Sequence, residues 1–304
     1  MSTARNPFVW SLERHDMFQT CPRQYYFAFY GAWGGWNEQA PAQARQLYIL
    51  KRLHPRQQWA AQHIGQALAD LIQHARQQPD GPAETAAKQV ELMRQEFRES
   101  RSGAYRRDPA RIAALYEHEY RVAVPPEDWK ATVDTVAVAV RQIAASPFWN
   151  AWRDLPDDAF IFPETRAGFD LRGLRVQTRP DLAVCHGGRV VVHDWTAAAL
   201  PSPARRLRMG LHVLLALEQW TADPAAVQAV AWNLPLGDQE TLTFDAEDLD
   251  TIREFIMDSA EEMLFPLEDP QQNLAGGGDL FDFTDNPGHC PACSFLKVCP
   301  RWKT

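Results

Sequence analysis

Residues 179–196 read RPDLAVCHGGRVVVHDWT. Thr178–Cys185 and Arg189–Asp194 are short β-rich or alternating segments, and Gly187-Gly188 between them marks a tight turn. Twelve residues separate Asp181 from Asp194, as a hairpin requires. Spacing alone also fits two solvated acids at strand ends.

Working outward, Ala159–Glu164 and Gly168–Val176 read as further strand-like segments, with Gly173 at a turn. Downstream come a helix at about 203–221, a strand at Val227–Leu234 and another at Glu240–Phe244. A long helix then runs from Asp245 to about Phe265, with Asp245 as its N-cap and Asp248 three residues on. A hairpin, a crossover helix and a returning strand make a mixed α/β sheet flanked by helices.

Upstream the pattern is helical, at 9–30, 42–78 with a break at His54-Pro55, 83–101, 109–121 and 126–146. Phe18, Tyr25, Tyr26, Phe29 and Tyr30 give the first helix an aromatic face, and Gly31–Gly35 ends it. Residues 268–289, rich in Gly, Asp, Asn and Pro, read as a loop. The organisation is therefore an N-terminal helix (1–35), a helical region (36–150), an αβ core (151–267) and a cysteine-bearing tail (268–304).

With 45% hydrophobic and 23% charged residues, the chain of 304 residues is globular in composition. Its longest apolar runs, such as Leu211–Leu217, are too short to cross a bilayer. Arg5, Glu13, Arg14 and Asp16 break up residues 1–20, which hold no signal-type apolar core, so a cytosolic location without membrane partners is expected. A net charge of −8 argues against wrapping duplex DNA over the whole surface and leaves room for one basic groove. Of the eleven tryptophans, most should be core residues, and a few could be stacking platforms for unpaired bases.

Cys290-x2-Cys293-x5-Cys299 puts three thiols within ten residues. Zinc and iron–sulfur centres commonly take four ligands, and Cys21 is the natural fourth. Proline follows Cys21, Cys290 and Cys299, fixing the backbone beside each. Spacing leaves zinc and iron both open. Cys185, without spacing partners, reads as a core thiol.

These residues carry a family resemblance. Ser11-Leu12-Glu13 through Phe18-Gln19-Thr20-Cys21-Pro22-Arg23-Gln24-Tyr25-Tyr26-Phe27 resembles the opening of RecB-like PD-(D/E)XK nucleases with a four-cysteine iron–sulfur cluster. That group includes the AddB nuclease domain and the CRISPR-associated exonucleases of spacer acquisition. The resemblance spans nearly the whole chain and implies a restriction-endonuclease-like α/β fold. It also implies a [4Fe–4S] cluster on Cys21, Cys290, Cys293 and Cys299 that pins the two ends together.

The resemblance further places Glu164 at the family's early acidic position on the first strand, Asp181 at the metal-binding Asp, and Asp194 on the next strand. In active relatives two such carboxylates hold Mg²⁺ or Mn²⁺ against the scissile phosphate. Here the departures begin. The position of the family's Lys holds Thr196. The metal-binding His, four residues after Gly65, is replaced by Ala69. The Gln-x-x-x-Tyr motif appears as Arg208-Met209-Gly210-Leu211-His212. His63 is nearby but about 120° away around the helix from position 69. This pattern implies weakened or lost cleavage.

Arg94, Arg98, Arg101, Arg106, Arg107 and Arg111 fall within 18 residues, with Glu91, Glu96 and Glu99 as helical partners. Arg205, Arg206 and Arg208 have no acid nearby in sequence and are the candidate phosphate contacts. The resulting expectation is a catalytically impaired nuclease-fold protein that binds or scaffolds DNA, single-stranded in preference. It would work in DNA processing, repair or phage defence beside a protein such as a helicase or another DNA-processing subunit. The rivals are an active metal-dependent exonuclease with a rearranged site and a pure protein-interaction module.

Overall fold

The computed structural model describes residues 5–196, 202–221, 223–234 and 238–302. The helical part comprises α1 (Leu12–Thr20), α2 (Pro22–Tyr26), α3 (Ala42–Lys51), β1 (Leu53–His54), α4 (Arg56–Asp70), α5 (Gly81–Ser102), β2 (Ala114–Leu115), α6 (Tyr116–Tyr120), α7 (Pro126–Ala144) and α8 (Pro147–Arg153). The core follows with β3 (Phe160–Ile161), β4 (Gly168–Leu171), β5 (Leu174–Gln177), β6 (Leu182–His186), β7 (Arg189–Thr196), α9 (Ser202–Gln219), β8 (Val227–Asn233), β9 (Asp238–Leu242) and α10 (Ala246–Leu264).

The central sheet has the order β3-β6-β7-β8-β9. Only β7 and β8 run parallel, because α9 carries the chain across between them. The β6–β7 hairpin turns at Gly187 (φ 58°) and Gly188 (φ 75°), a two-residue turn open to glycine because both φ angles are positive. Alternation along the strands sends Ala183, Val190, Val192, Ala229 and Ala231 into one core with α9 and α10. Leu182, Val184, Val230 and Trp232 pack on the other side against residues of α4, α7 and α8. The helices α4, α5, α7 and α8 thus share a core with the sheet. Among the described residues no helix is long and apolar enough to cross a membrane.

Three expected elements differ. The helix of 9–30 breaks at Cys21, which is extended, and α2 restarts with Pro22 in its first turn. Proline disfavours helical geometry in the residue before it, and it suits a first helical position. The helix of 109–121 shrinks to α6, which ends at Arg121 in the left-handed region (φ 54°), while Ala114–Leu115 pairs in parallel with Leu53–His54. A tertiary strand pairing has overridden local helix propensity there. Glu164 lies beyond the two-residue β3 rather than on it, and is exposed. Pro163 just before it favours leaving the ladder, since it has no N–H to donate.

The N-terminal segment docks on distant parts of the chain. Trp10 bridges to Val176, and its Nε1 donates to Ser259 Oγ at 2.9 Å. Tyr30 OH donates to Asn273 Oδ1 (2.7 Å), and Arg23 Nε donates to the Phe281 carbonyl (2.9 Å). A third core joins Phe27, Leu47, Leu50, Tyr105 and Tyr116 to Phe295 of the tail.

The α10 N-terminus has the expected capping box: Asp245 accepts from the Asp248 N–H and Asp248 accepts from the Asp245 N–H. Asp245→Ala should lower unfolding free energy by about 0.5–2 kcal/mol, read from denaturant melts. An unchanged midpoint would show that α10 is held by packing alone.

Candidate functional site

The hairpin sets the site. Leu182 is paired with His193, so one step further the register puts Asp181 opposite Asp194 at the end of the strand pair. The Asp181 N–H donates to the His193 carbonyl (2.9 Å), and its Oδ2 accepts from the Trp195 N–H (2.8 Å). The two acids share the α9 side of the sheet. From the other side α4 arrives at Gly65, where a Cβ would stand 3.9 Å from Asp181 Oδ1. Ala69, four residues on, shares that flank of α4.

Asp194 is 5% exposed and His212 is 3% exposed. His212 Nε2 lies 3.2 Å from Asp194 Oδ1, and Arg208 Nη1 lies 3.8 Å from Asp194 Oδ2. Arg208 and His212 are one helical turn apart on α9, so both reach the same carboxylate. The other imidazole nitrogen, Nδ1, is 2.9 Å from Thr178 Oγ1, which completes a chain from Thr178 through His212 to Asp194. Thr178 was not singled out from the sequence, because nothing in local spacing ties it to α9. The two motif positions on α9 were visible in the sequence, but their convergence on Asp194 was not.

Burial first, and then the Asp194 charge, push the Asp181 carboxyl far above the usual carboxylate range, to about 8. The Trp195 N–H and the charges of Arg179 and Arg208 oppose that shift. Thr196 donates its hydroxyl to the Trp232 carbonyl (3.0 Å), so the side chain at the end of β7 is tied to the neighbouring strand. His63 is held away from the site by Glu96 (2.9 Å) and Gln89 (3.1 Å). His193 is fully buried among Phe148, Trp152 and Trp232, and burial pushes it down to about 3, a neutral core imidazole.

The arginines expected to lack acids have them. Arg205 pairs with Glu240 of β9, Arg206 with Asp248 of α10 (2.6 Å), and Arg208 with Asp194. These partners come from elements distant in sequence, which is why local spacing hid them. Arg94 pairs with Glu91 at the expected i,i+3 spacing, and Arg98 reaches the same carboxylate from two turns along the helix.

Cys21, Cys290, Cys293 and Cys299 line a single cavity of about 150 Å³, together with Arg23, Phe27, His289 and Arg301. Short turns deliver the tail thiols: Cys290 sits in a 3₁₀ turn, and Cys293 and Cys299 each follow one. The Phe295 N–H donates to Cys293 Sγ (3.4 Å). Burial, and after it the neighbouring cysteines, push the Cys293 thiol up to about 11. Tyr120 OH donates to the Ser294 carbonyl (2.7 Å), and Lys297 reaches Glu119 (2.6 Å), which fastens the tail to α6. Cys185 stands apart on β6 against the first core. Among the described residues no group of three or more His, Cys, Asp or Glu side chains is arranged so as to hold a metal ion. Glu164 makes no described hydrogen bond or ion pair to Asp181 or Asp194.

In the folded chain Asp181 keeps its proton up to about pH 8, whereas an unfolded Asp loses it near about pH 4. The folded state carries the extra proton between those values, so stability falls as pH rises through that window. Asp181→Asn should flatten the fall and raise the melting temperature at about pH 8 by roughly 2 °C or more. Parallel pH–stability curves for the two proteins would show that Asp181 ionises normally.

A family model of the PD-(D/E)XK nuclease superfamily matches residues 9–300. No curated protein matches the chain. With that match over nearly its whole length, and a mixed sheet whose central hairpin sets Asp181 against Asp194, the chain belongs to the PD-(D/E)XK nuclease superfamily.

Proposed function

We propose that this protein is a RecB-like member of the superfamily that has lost metal-dependent cleavage and serves as a DNA-binding or scaffolding subunit. One observation carries the reading: Asp194 is already engaged by Arg208 and His212 from one face of α9. A metal-binding carboxylate must offer its lone pairs to a divalent cation. Here the guanidinium sits where it would repel such a cation, and arginine cannot act as a base near neutral pH. Thr196 supplies no amine, and its hydroxyl is spent on a backbone carbonyl. Ala69 adds only a methyl on the α4 side. Asp181, Asp194 and Glu164 are then remnants of a metal site for Mg²⁺ or Mn²⁺.

The expected outcome is no cleavage of single- or double-stranded DNA above background with Mg²⁺ or Mn²⁺, since a missing base or water-positioning group costs roughly 10²–10⁴-fold. Arg208→Gln should tighten Mn²⁺ binding by at least about tenfold, followed by calorimetry, because it removes a charge beside Asp194. Robust cleavage abolished by Asp181→Ala would establish the rival reading, an active exonuclease with a rearranged site.

In the same reading Cys21, Cys290, Cys293 and Cys299 hold a [4Fe–4S] cluster. Several features support iron over zinc. One zinc ion draws four sulfurs to within roughly 3.8 Å of one another, given Zn–S bonds of about 2.3 Å. These thiols are among the residues that line one cavity of about 150 Å³, room for a group with several metal atoms. The N–H on Cys293 Sγ and the cations Arg23 and Arg301 at the wall suit a thiolate-ligated, negatively charged group. When bound, the cluster would cross-link the N-terminal helices to the tail. Protein purified anaerobically should be brown, with absorbance near about 400 nm. Cys21→Ala should remove the colour and destabilise the fold, while Cys185→Ala should leave both intact. Colourless protein carrying stoichiometric zinc would overturn this assignment. The reading also includes a protein partner such as a helicase or another DNA-processing subunit.

A further inference from the structure

The loop between α2 and α3 carries two tryptophans on the surface, Trp33 at 39% and Trp36 at 45% exposure. Their rings meet edge to face, 4.9 Å apart and at 89°, and Trp36 also meets Tyr48 of α3 edge to face. Two partly exposed tryptophans side by side are uncommon on a surface loop, because large aromatic rings are ordinarily highly buried.

The loop is held in place. A Cβ at Gly35 would lie 2.3 Å from the Ala44 carbonyl oxygen, so the backbone there lies against the start of α3 as only glycine permits. Arg45 Nη1 donates to the Gly35 and Trp36 carbonyls (3.4 and 3.5 Å), and its Nη2 donates to the Arg107 carbonyl (3.1 Å). Arg52 Nη2 donates to the Ala110 carbonyl (3.3 Å). These bonds join the tryptophan loop, α3 and the turn at 104–113 into one face. Arg107 and Arg111 of that turn are exposed, and the Arg107 backbone shares the Arg45 guanidinium with the Trp36 backbone. Asp108 lies 4.0 Å from Arg111. The arginines on α9 are each paired with a carboxylate from a distant part of the sequence.

We infer that Trp33 and Trp36 form a stacking platform for unpaired DNA bases, with Arg107 and Arg111 contacting the phosphates. Every base has a π-face, so such a platform is indifferent to sequence. Ring planes at right angles cannot both lie against neighbouring stacked base pairs, so the geometry fits a splayed single strand and not a duplex. Arg107 and Arg111 supply the cations for phosphate contacts. This inference rests on the DNA-binding reading above and gives that reading a surface outside the Asp181–Asp194 site.

The test is fluorescence anisotropy with a labelled oligo-dT of about 20 nucleotides, and with a duplex of the same length, across a salt series. Trp33→Ala with Trp36→Ala should weaken oligo-dT binding by roughly tenfold per ring, and the Phe double variant should recover most of it. Arg107→Gln with Arg111→Gln should lower the salt slope by about 0.7 for each lost contact. Melting curves would verify that each variant folds. If the wild type binds oligo-dT and the Ala double variant binds it equally well, the platform is wrong and the DNA-binding reading stands. Equal losses on oligo-dT and duplex would also overturn stacking. If the wild type binds no oligo-dT at low salt, both readings fall, and this face becomes a surface for a protein.

Discussion

The structure depends on burying β7 from both sides. This strand pairs with β6 on one edge and β8 on the other, so its backbone groups are satisfied only inside the sheet. Val190 and Val192 face one core, and Val191 and Trp195 contribute to the other. Two layers of helix are therefore required, α9 with α10 on one side and α4 with α7 on the other. Asp194 belongs to this strand and faces the α9 side. Its carboxylate ends in a dry place as a consequence of the sheet, and only a cation or hydrogen bonds can hold it there.

That constraint frames the candidate site. A nuclease that works with divalent ions meets the cost of buried carboxylates with metal charge from solution. This chain meets part of it internally, with Arg208 and His212 from a single helical face. Asp181 has an N–H and more distant arginines instead, and its carboxyl favours the proton. Both halves of the arrangement are compatible with a well-packed fold, whether or not a phosphate ever reaches it.

The hairpin was the most legible part of the sequence, because Gly187-Gly188 and the alternating flanks carry local information about turn and register. The Asp245 cap was legible for the same reason. What could not be read is non-local. Residues 109–121 carry helix-forming side chains, yet Ala114–Leu115 pairs with a strand some sixty residues earlier. Glu240 and Asp248 reach Arg205 and Arg206 only once α9 has crossed the sheet. Thr178 meets His212 through the same crossing. The break at Cys21 was local and readable, since Pro22 biases the residue before it away from helix. The aromatic periodicity of residues 18–30 obscured it.

The docking of the N-terminal segment has a consequence for how the protein is made. Trp10 binds Ser259 and Arg23 binds the Phe281 carbonyl, contacts separated by 249 and 258 residues in sequence. On a ribosome adding about 5–20 residues per second, the first helices wait roughly 10–50 s for the surface that receives them. Through that interval Phe18, Tyr25 and Phe29 lack their eventual cover and are open to wrong partners. Loop closure of this span makes the last docking step slow even in a complete chain. The aromatic N-terminal segment is therefore most exposed to wrong contacts during synthesis and least so once it has docked.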